Sequence, residues 1–207
     1  ISMGVLDTRR HTFVADIPKG KAHMISGSTT VGTWNLNTTS PIDAKGTIPI
    51  ALFGRINNAN GASDWAGGRA KARIYGAKFY KAGTLVHDFV PCVKGDVPGF
   101  RDIVGGTFHT GEFNVQGLSA SDNVVRIPDD GHYIDTGYTP GPETRLELDY
   151  AISSNVVGHA DWYMLGAGVI QNGNAMAHYA SKTVLGNCLG KASSWVGTGM
   201  PAPTNTA

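Results

Sequence analysis

Long apolar segments and an excess of charge of one sign are both missing from this sequence. No apolar run approaches the roughly 20 residues that are needed to span a bilayer. The 17 Lys and Arg residues and the 16 Asp and Glu residues leave a net charge of +1. Nucleic-acid-binding proteins usually carry a basic stripe, and the longest basic run here is Arg9-Arg10. The sequence therefore predicts neither a membrane span nor a nucleic-acid partner.

Helical periodicity is missing as well. No window of a dozen residues keeps apolar residues at i, i+3, i+4 and i+7, the spacing of an amphipathic helix. Glycine is abundant instead, with 28 residues, as expected for many short strands joined by tight turns. Strict alternation marks several strands, whose apolar side chains are predicted to face a core: Leu146, Leu148 and Tyr150; Ile48, Ile50 and Leu52; Tyr75, Ala77 and Phe79. The sequence predicts an all-β protein.

Motifs for catalysis are scarce. There is no Gly-x-Ser-x-Gly nucleophile elbow, and the seven histidines are scattered rather than grouped at ligand spacing. Glycoside hydrolysis needs two carboxylates that face one cleft. Glu147 and Asp149 share a strand face, but they lie on the water side of an alternating strand. We therefore predict no catalytic residues and a protein that is not an enzyme.

Cysteine is rare, with two residues in the chain. Cys92 and Cys188 are far apart, and neither has the Cys-x-x-Cys or Cys/His spacing of a zinc site. Two interpretations remain open at this point. The pair is either two reduced thiols or a disulfide, which requires an oxidising compartment.

Two stretches resemble the laminin-G-like, concanavalin A-like jelly-roll domains of bacterial surface and phage-associated proteins. Residues 72–80 (ARIYGAKFY), 83–92 (GTLVHDFVPC) and 99–109 (GFRDIVGGTFH) resemble the run that closes such a domain. Residues 133–140 (YIDTGYTP) and 144–150 (TRLELDY) resemble the run that opens it. The resemblance covers roughly a third of the chain and implies a two-sheet antiparallel jelly-roll sandwich. It also implies a location outside the cell, on the cell surface or on a phage particle.

The order of the two runs is reversed relative to the family. Residues 1–117 would then form the C-terminal half of a sandwich, residues 118–130 a connection, and residues 131–207 the N-terminal half. Either the halves fold together as a circular permutant, or each completes the half-domain of a neighbouring chain. A fragment cut from a tandem array is a third explanation. We predict that the strand beginning at Tyr133 packs in one sandwich with residues 72–89.

Two further expectations follow from the resemblance. Cys92 and Cys188 lie near the ends of halves that must meet, so we predict their close approach or a disulfide. Calcium is common in relatives of the fold, bound by loop carboxylates. The acidic pairs of this chain, Asp96 with Asp102 and Asp129 with Asp130, lack the spacing of a calcium loop. We therefore predict no metal and no cofactor.

Sugar binding requires an exposed aromatic side chain on which the sugar stacks, with amide and carboxylate groups as hydrogen-bond partners. Trp65 follows Asp64 in an Asn/Gly-rich loop that contains Asn60, and Trp34 with Asn37 forms a second cluster. We predict these five residues as the ligand site, with ordinary packing as the alternative role of Trp65. The leading hypothesis is a non-catalytic glycan-binding or adhesion module. The alternative is a structural subunit that links head to tail into a fibre or sheath.

Overall fold

The regular structure of the described residues consists of β-strands. The computed structural model describes residues 9–35, 49–52, 72–110, 125–126, 134–152, 162–167, 176–180, 184–189 and 200–201. All regular elements in these ranges are strands, which confirms the all-β class. In chain order they are β1 (His11–Asp16), β2 (Lys21–Ser26), β3 (Thr29–Asn35), β4 (Ala51–Leu52), β5 (Ala72–Lys81), β6 (Thr84–Lys94), β7 (Val97–Asp102), β8 (Phe108–His109), β9 (Val125–Arg126), β10 (Ile134–Asp135), β11 (Thr144–Ile152), β12 (Trp162–Ala167), β13 (Met176–Ala180), β14 (Val184–Leu189) and β15 (Met200–Pro201).

A large antiparallel sheet carries most of the described residues. Its strands follow the order β3-β2-β1-β11-β5-β6-β7-β8, and β9 pairs with β5 beside this path. Hairpins join β1 to β2 to β3 and β5 to β6 to β7, so consecutive strands are neighbours in both groups. The exception is β11, which lies between the two groups and pairs with both β1 and β5.

A smaller antiparallel sheet has the order β10-β4-β12-β13-β14-β15. The segment after β10 continues alongside the residue that precedes β4. The amide of Ile50 donates to the carbonyl of Tyr138 at 2.8 Å, and the amide of Thr136 donates to the carbonyl of Ile50 at 3.1 Å. These bonds fix the path of the chain from the small sheet towards β11.

The two family-like runs meet in the large sheet, where β11 of the opening run pairs with β5 of the closing run. The strand predicted to begin at Tyr133 is described at Ile134–Asp135 (β10), which pairs with β4 of the small sheet. Its packing in one sandwich with residues 72–89 therefore stays a prediction. Leu148 of β11 lies opposite Phe13 of β1 on one side and opposite Ala77 of β5 on the other. The alternation predicted for β11 is confirmed, because Leu146, Leu148 and Tyr150 are fully buried. Both backbone edges of β11 are therefore paired inside the chain.

The prediction for Tyr75 was wrong, and a β-bulge explains why. Asp149 pairs with Gly76 and the next residue of β11, Tyr150, pairs with Ile74, so the register skips Tyr75. An extra residue shifts the two-residue alternation of a strand. Ile74 consequently enters the core and is 0 % exposed, whereas Tyr75 is half-buried and lies under the guanidinium of Arg10, 4.4 Å from the ring centre.

The connection between β5 and β6 is a two-residue hairpin turn. Ala82 and Gly83 have φ angles of 49° and 79°, which is the conformation that matches the twist of a tight hairpin. The amide of Ala82 donates to the carbonyl of Glu143 at 3.1 Å. The turn is thereby attached to the loop that leads into β11.

The two cysteines lie in different sheets. Cys92 is on β6 of the large sheet and is a free cysteine. Cys188 is on β14 of the small sheet, and its side chain is outside the described residues. The predicted close approach or disulfide of Cys92 and Cys188 therefore stays a prediction.

Candidate functional site

The ligand site predicted from the sequence falls mostly outside the described residues. Asn37, Asn60, Asp64 and Trp65 all belong to segments that the structure does not describe. Trp34 lies on β3, where its backbone pairs with Ala22 of β2. The role of this cluster stays a prediction.

A cleft opens where the β5–β6 hairpin meets the loop that precedes β11. Its volume is about 510 Å³, within the usual range for small-molecule sites. The hairpin supplies Lys81 and His87, and the loop supplies the rest of the lining. The lining residues are Lys81, His87, Gly137, Tyr138, Thr139, Gly141, Pro142, Glu143 and Thr144.

Tyr138 forms the base of the cleft and is only 7 % exposed. Its ring packs on Phe79, with 5.0 Å between the ring centres. Its hydroxyl donates to the carbonyl of Tyr80 at 3.2 Å and lies 2.9 Å from the hydroxyl oxygen of Thr144. Burial raises the pKa of Tyr138. The phenol is thus neutral and already hydrogen-bonded, so it supports the wall of the cleft.

The loop before β11 is held by a compact turn. The amide of Thr144 donates to the carbonyl of Gly141 at 3.0 Å, and the amide of Gly141 donates to the Thr144 hydroxyl oxygen at 2.8 Å. Between them lies Glu143, which is exposed. The turn therefore places a carboxylate on the rim of the cleft, in the same lining as Lys81.

His87 is the most constrained polar side chain of the lining. Its Nδ1 atom lies 2.7 Å from Oδ2 of Asp102 on the neighbouring strand β7. Its ring stacks on Phe89 at 5.5 Å and 17°, and it meets the ring of Tyr138 edge-on at 5.7 Å. The side chain keeps 28 % of its surface exposed. One nitrogen is therefore fixed by a carboxylate while part of the ring faces the cleft.

Asp102 is the buried partner that holds His87. It is 2 % exposed, and its Oδ1 accepts hydrogen bonds from the amides of Asp88 at 3.0 Å and Val104 at 3.1 Å. Burial acts to raise the pKa of the carboxyl group, but hydrogen bonds from His87, Asp88 and Gly105 outweigh it, so the pKa of Asp102 is lowered. The carboxylate form is thus favoured and anchors both His87 and the β7–β8 turn.

We expect Asp102 to make the protein sensitive to acid. A carboxyl group with a pKa below its ordinary value of 3.8 stabilises the fold above that value, and the stabilisation is lost as pH falls through the folded-state pKa. Asp102→Asn should be less stable than the wild type near neutral pH, and the difference should shrink below about pH 4. Thermal denaturation near neutral pH and near pH 3 measures both differences.

The control for this experiment is Asp96→Asn, because Asp96 lies in the exposed β6–β7 turn. Its melting temperature should follow that of the wild type at both pH values. A deficit of Asp102→Asn that is equally large at both values would contradict the assignment of Asp102 as a stabilising carboxylate.

Comparisons with known proteins find no match that could indicate what the cleft does. Neither the protein-family models nor the curated proteins nor the solved structures give a match. The family resemblance noted in residues 72–109 and 133–150 therefore stays an expectation. What the cleft does has to be argued from its own side chains.

The described residues contain neither a metal cluster nor a helix that could span a membrane. This part of the chain holds no group of three His, Cys, Asp or Glu side chains suited to a metal ion. Of the acidic pairs considered for calcium, Asp102 is instead bound to His87, and Asp129 and Asp130 lie outside the described residues. The described segments also contain no helix of the length and apolarity that crosses a bilayer.

Sequence reasoning did not single out the His87–Asp102 pair, although a signal for it was present. A tight turn at Gly95-Asp96 fixes the register of β6 against β7, and that register puts Asp102 opposite Phe89. Residues 87 and 89 share a strand face because side chains alternate. His87 and Asp102 could thus have been placed side by side from the hairpin alone.

Proposed function

We propose that this protein is a non-catalytic glycan-binding module and that the cleft between the β5–β6 hairpin and the loop before β11 holds the sugar. The observation that carries the proposal is a cleft of about 510 Å³ whose rim brings together Lys81, His87 and Glu143. Sugars present closely spaced groups that both donate and accept hydrogen bonds. An ammonium group, an imidazole and a carboxylate together match that mixture.

The fold and the location are part of the same proposal. Two antiparallel sheets are compatible with a sandwich of the laminin-G-like, concanavalin A-like kind, and the family-like runs at residues 72–109 and 133–150 support it. An extracellular or cell-surface location, or one on a phage particle, rests on that resemblance. Fold alone does not decide function, so the cleft residues carry the argument.

A fibre subunit that is completed by a neighbouring chain is the alternative. It requires that the half-domains leave strand edges for another chain to fill. Within the described residues, β11 pairs with β1 on one edge and with β5 on the other, both in the same chain. This pairing favours a self-contained binding module over head-to-tail completion.

The test is binding to a panel of immobilised polysaccharides, both neutral and acidic, scored with the wild type and with Glu143→Ala. We expect at least one glycan to bind and the variant to lose about tenfold in affinity, because a hydrogen bond to a charged group contributes about 1.5–3 kcal/mol. Asp96→Ala is the matched control, since it removes a carboxylate from an exposed turn that does not line the cleft.

A second variant, Trp65→Ala, distinguishes glycan binding in the cleft from glycan binding at the aromatic cluster predicted from the sequence. If glycan binding is in the cleft, Trp65→Ala binds as the wild type does and Glu143→Ala does not. Loss of binding in Trp65→Ala alone would move the site to the Asn/Gly-rich loop. A wild-type protein that binds no member of the panel would contradict the proposed function.

A further inference from the structure

The proton arrangement on His87 is fixed by its partner. Asp102 accepts hydrogen bonds from two backbone amides through Oδ1, and its lowered pKa keeps it a carboxylate, which has no hydrogen to donate. The 2.7 Å contact between Oδ2 and Nδ1 of His87 therefore needs a hydrogen on Nδ1. Neutral His87 then has a bare lone pair on Nε2, the nitrogen on the far side of the ring from Asp102.

The Nε2 atom of His87 has no hydrogen-bond partner among the described residues. The ring cannot easily turn to change this, because Phe89 stacks on one of its faces and Tyr138 meets it edge-on. The titratable groups around the ring are Asp102 from β7, Tyr138 from the segment after β10, and Lys81 and Glu143 from the rim. The carboxylates of Asp102 and Glu143 have no hydrogen to donate, and the Tyr138 hydroxyl already donates to the carbonyl of Tyr80. Among these groups, Lys81 is the one that can donate a hydrogen bond to a ligand.

We propose, on the basis of the glycan-binding function above, that the cleft recognises an N-acetylated amino sugar through Nε2 of neutral His87. Among the side chains that line the cleft, neutral His87 and Glu143 supply acceptors and Lys81 supplies an ammonium donor. An acetamido group with a neighbouring hydroxyl presents the matching two donors and one acceptor. Its amide N–H donates to Nε2, its carbonyl accepts from Lys81, and the hydroxyl donates to Glu143.

Recognition by a bare Nε2 atom distinguishes the acetamido sugar from its hydroxyl analogue. The amide N–H donates to Nε2 while the amide carbonyl accepts from Lys81. A hydroxyl must use one oxygen for both contacts, whereas the acetamido group uses two separate atoms. The acetamido sugar is therefore preferred over its hydroxyl analogue.

The experiment compares chitotetraose with cellotetraose, which carries a hydroxyl in place of each acetamido group, by titration calorimetry. The wild type should prefer chitotetraose by about tenfold. His87→Phe, which keeps a ring beside Phe89 and Tyr138 but has no acceptor, should bind the two sugars equally. His23→Phe, on β2 outside the cleft, should behave as the wild type.

A measurement without ligand checks the same inference. Nitrogen NMR of histidine-labelled protein near pH 8 should show His87 with hydrogen on Nδ1. Asp102→Asn can donate to Nδ1, so it should move the hydrogen to Nε2 and remove the preference for chitotetraose. Hydrogen on Nε2 in the wild type would overturn the inference whatever the protein binds.

The outcomes separate this inference from the proposed function. Binding to another glycan of the panel but to neither tetrasaccharide, or equal binding of the two tetrasaccharides, overturns the acetamido assignment and leaves glycan binding in place. No binding to any glycan overturns both.

Discussion

Leu148→Ala should lower the free energy of unfolding by about 2–5 kcal/mol, the cost of a cavity left by a fully buried leucine. Leu148 is 0 % exposed and lies at the centre of β11, opposite Phe13 of β1 and Ala77 of β5. The cavity would open at the strand that joins the two hairpin groups of the large sheet. Urea denaturation followed by tryptophan fluorescence and by circular dichroism measures the loss.

Val31→Ala is the matched control, because it also shortens an apolar side chain in the same sheet. Val31 lies on the edge strand β3 and is 44 % exposed, so its loss should change stability by less than about 0.5 kcal/mol. Equal and small effects of the two changes would mean that β11 does not occupy the middle of the sheet.

Much of the large sheet could be predicted from the sequence because its signals are local. The alternation of residues 145–150 predicted which face of β11 is buried, and Leu146 and Leu148 are both fully buried. The Ala82-Gly83 turn between β5 and β6 depends on a signal of the same local kind, because glycine readily adopts a positive φ. Hairpins are set by short-range turn chemistry and by a period of two, and both can be recognised without a structure.

Tyr75 shows where such reasoning stops. Strict alternation placed it with Ala77 and Phe79 on the core face, but the bulge opposite Asp149 and Tyr150 shifts the pattern by one residue. The position of this bulge depends on how two strands that are far apart in sequence pair with each other. Nothing in residues 72–81 alone indicates that β11 would be the neighbouring strand or in which register it would pair.

The candidate site was harder to predict than the sheet for the same reason. Aromatic and amide residues that lie close together in the sequence, such as Trp65 and Asn60, can be recognised within a single loop. The cleft is instead built by residues about sixty positions apart, as the contact of the Tyr138 hydroxyl with the Tyr80 carbonyl shows. Only the insertion of β11 next to β5 brings His87 and Glu143 into one lining.

Gly99→Ala should disrupt the pairing of β7 with β8 in the large sheet. A methyl group at Gly99 would lie 2.4 Å from the carbonyl oxygen of His109 and 2.8 Å from a ring atom of Phe108. The ring has some freedom to move, but the carbonyl belongs to the β7–β8 ladder, in which Phe100 pairs with His109. Relief of the overlap therefore requires β8 to separate from β7, and overpacking of this kind costs about 1–3 kcal/mol or more.

The comparison with Gly76→Ala shows whether this close approach is real. Gly76 lies on β5 of the same sheet, and a methyl group there would meet only the carbonyl oxygen of Phe89 at 3.4 Å, an ordinary contact. Its replacement should change the free energy of unfolding by less than about 1 kcal/mol. Alanine lowers the conformational entropy of the unfolded chain, and this gain offsets the cost of the contact. Urea denaturation of both variants gives the difference, and amide hydrogen exchange at Phe108 and His109 should increase in Gly99→Ala alone. Equal stability of the two variants, with β8 still protected from exchange, would show that β8 does not lie against Gly99, since a methyl group cannot share the position of a backbone oxygen.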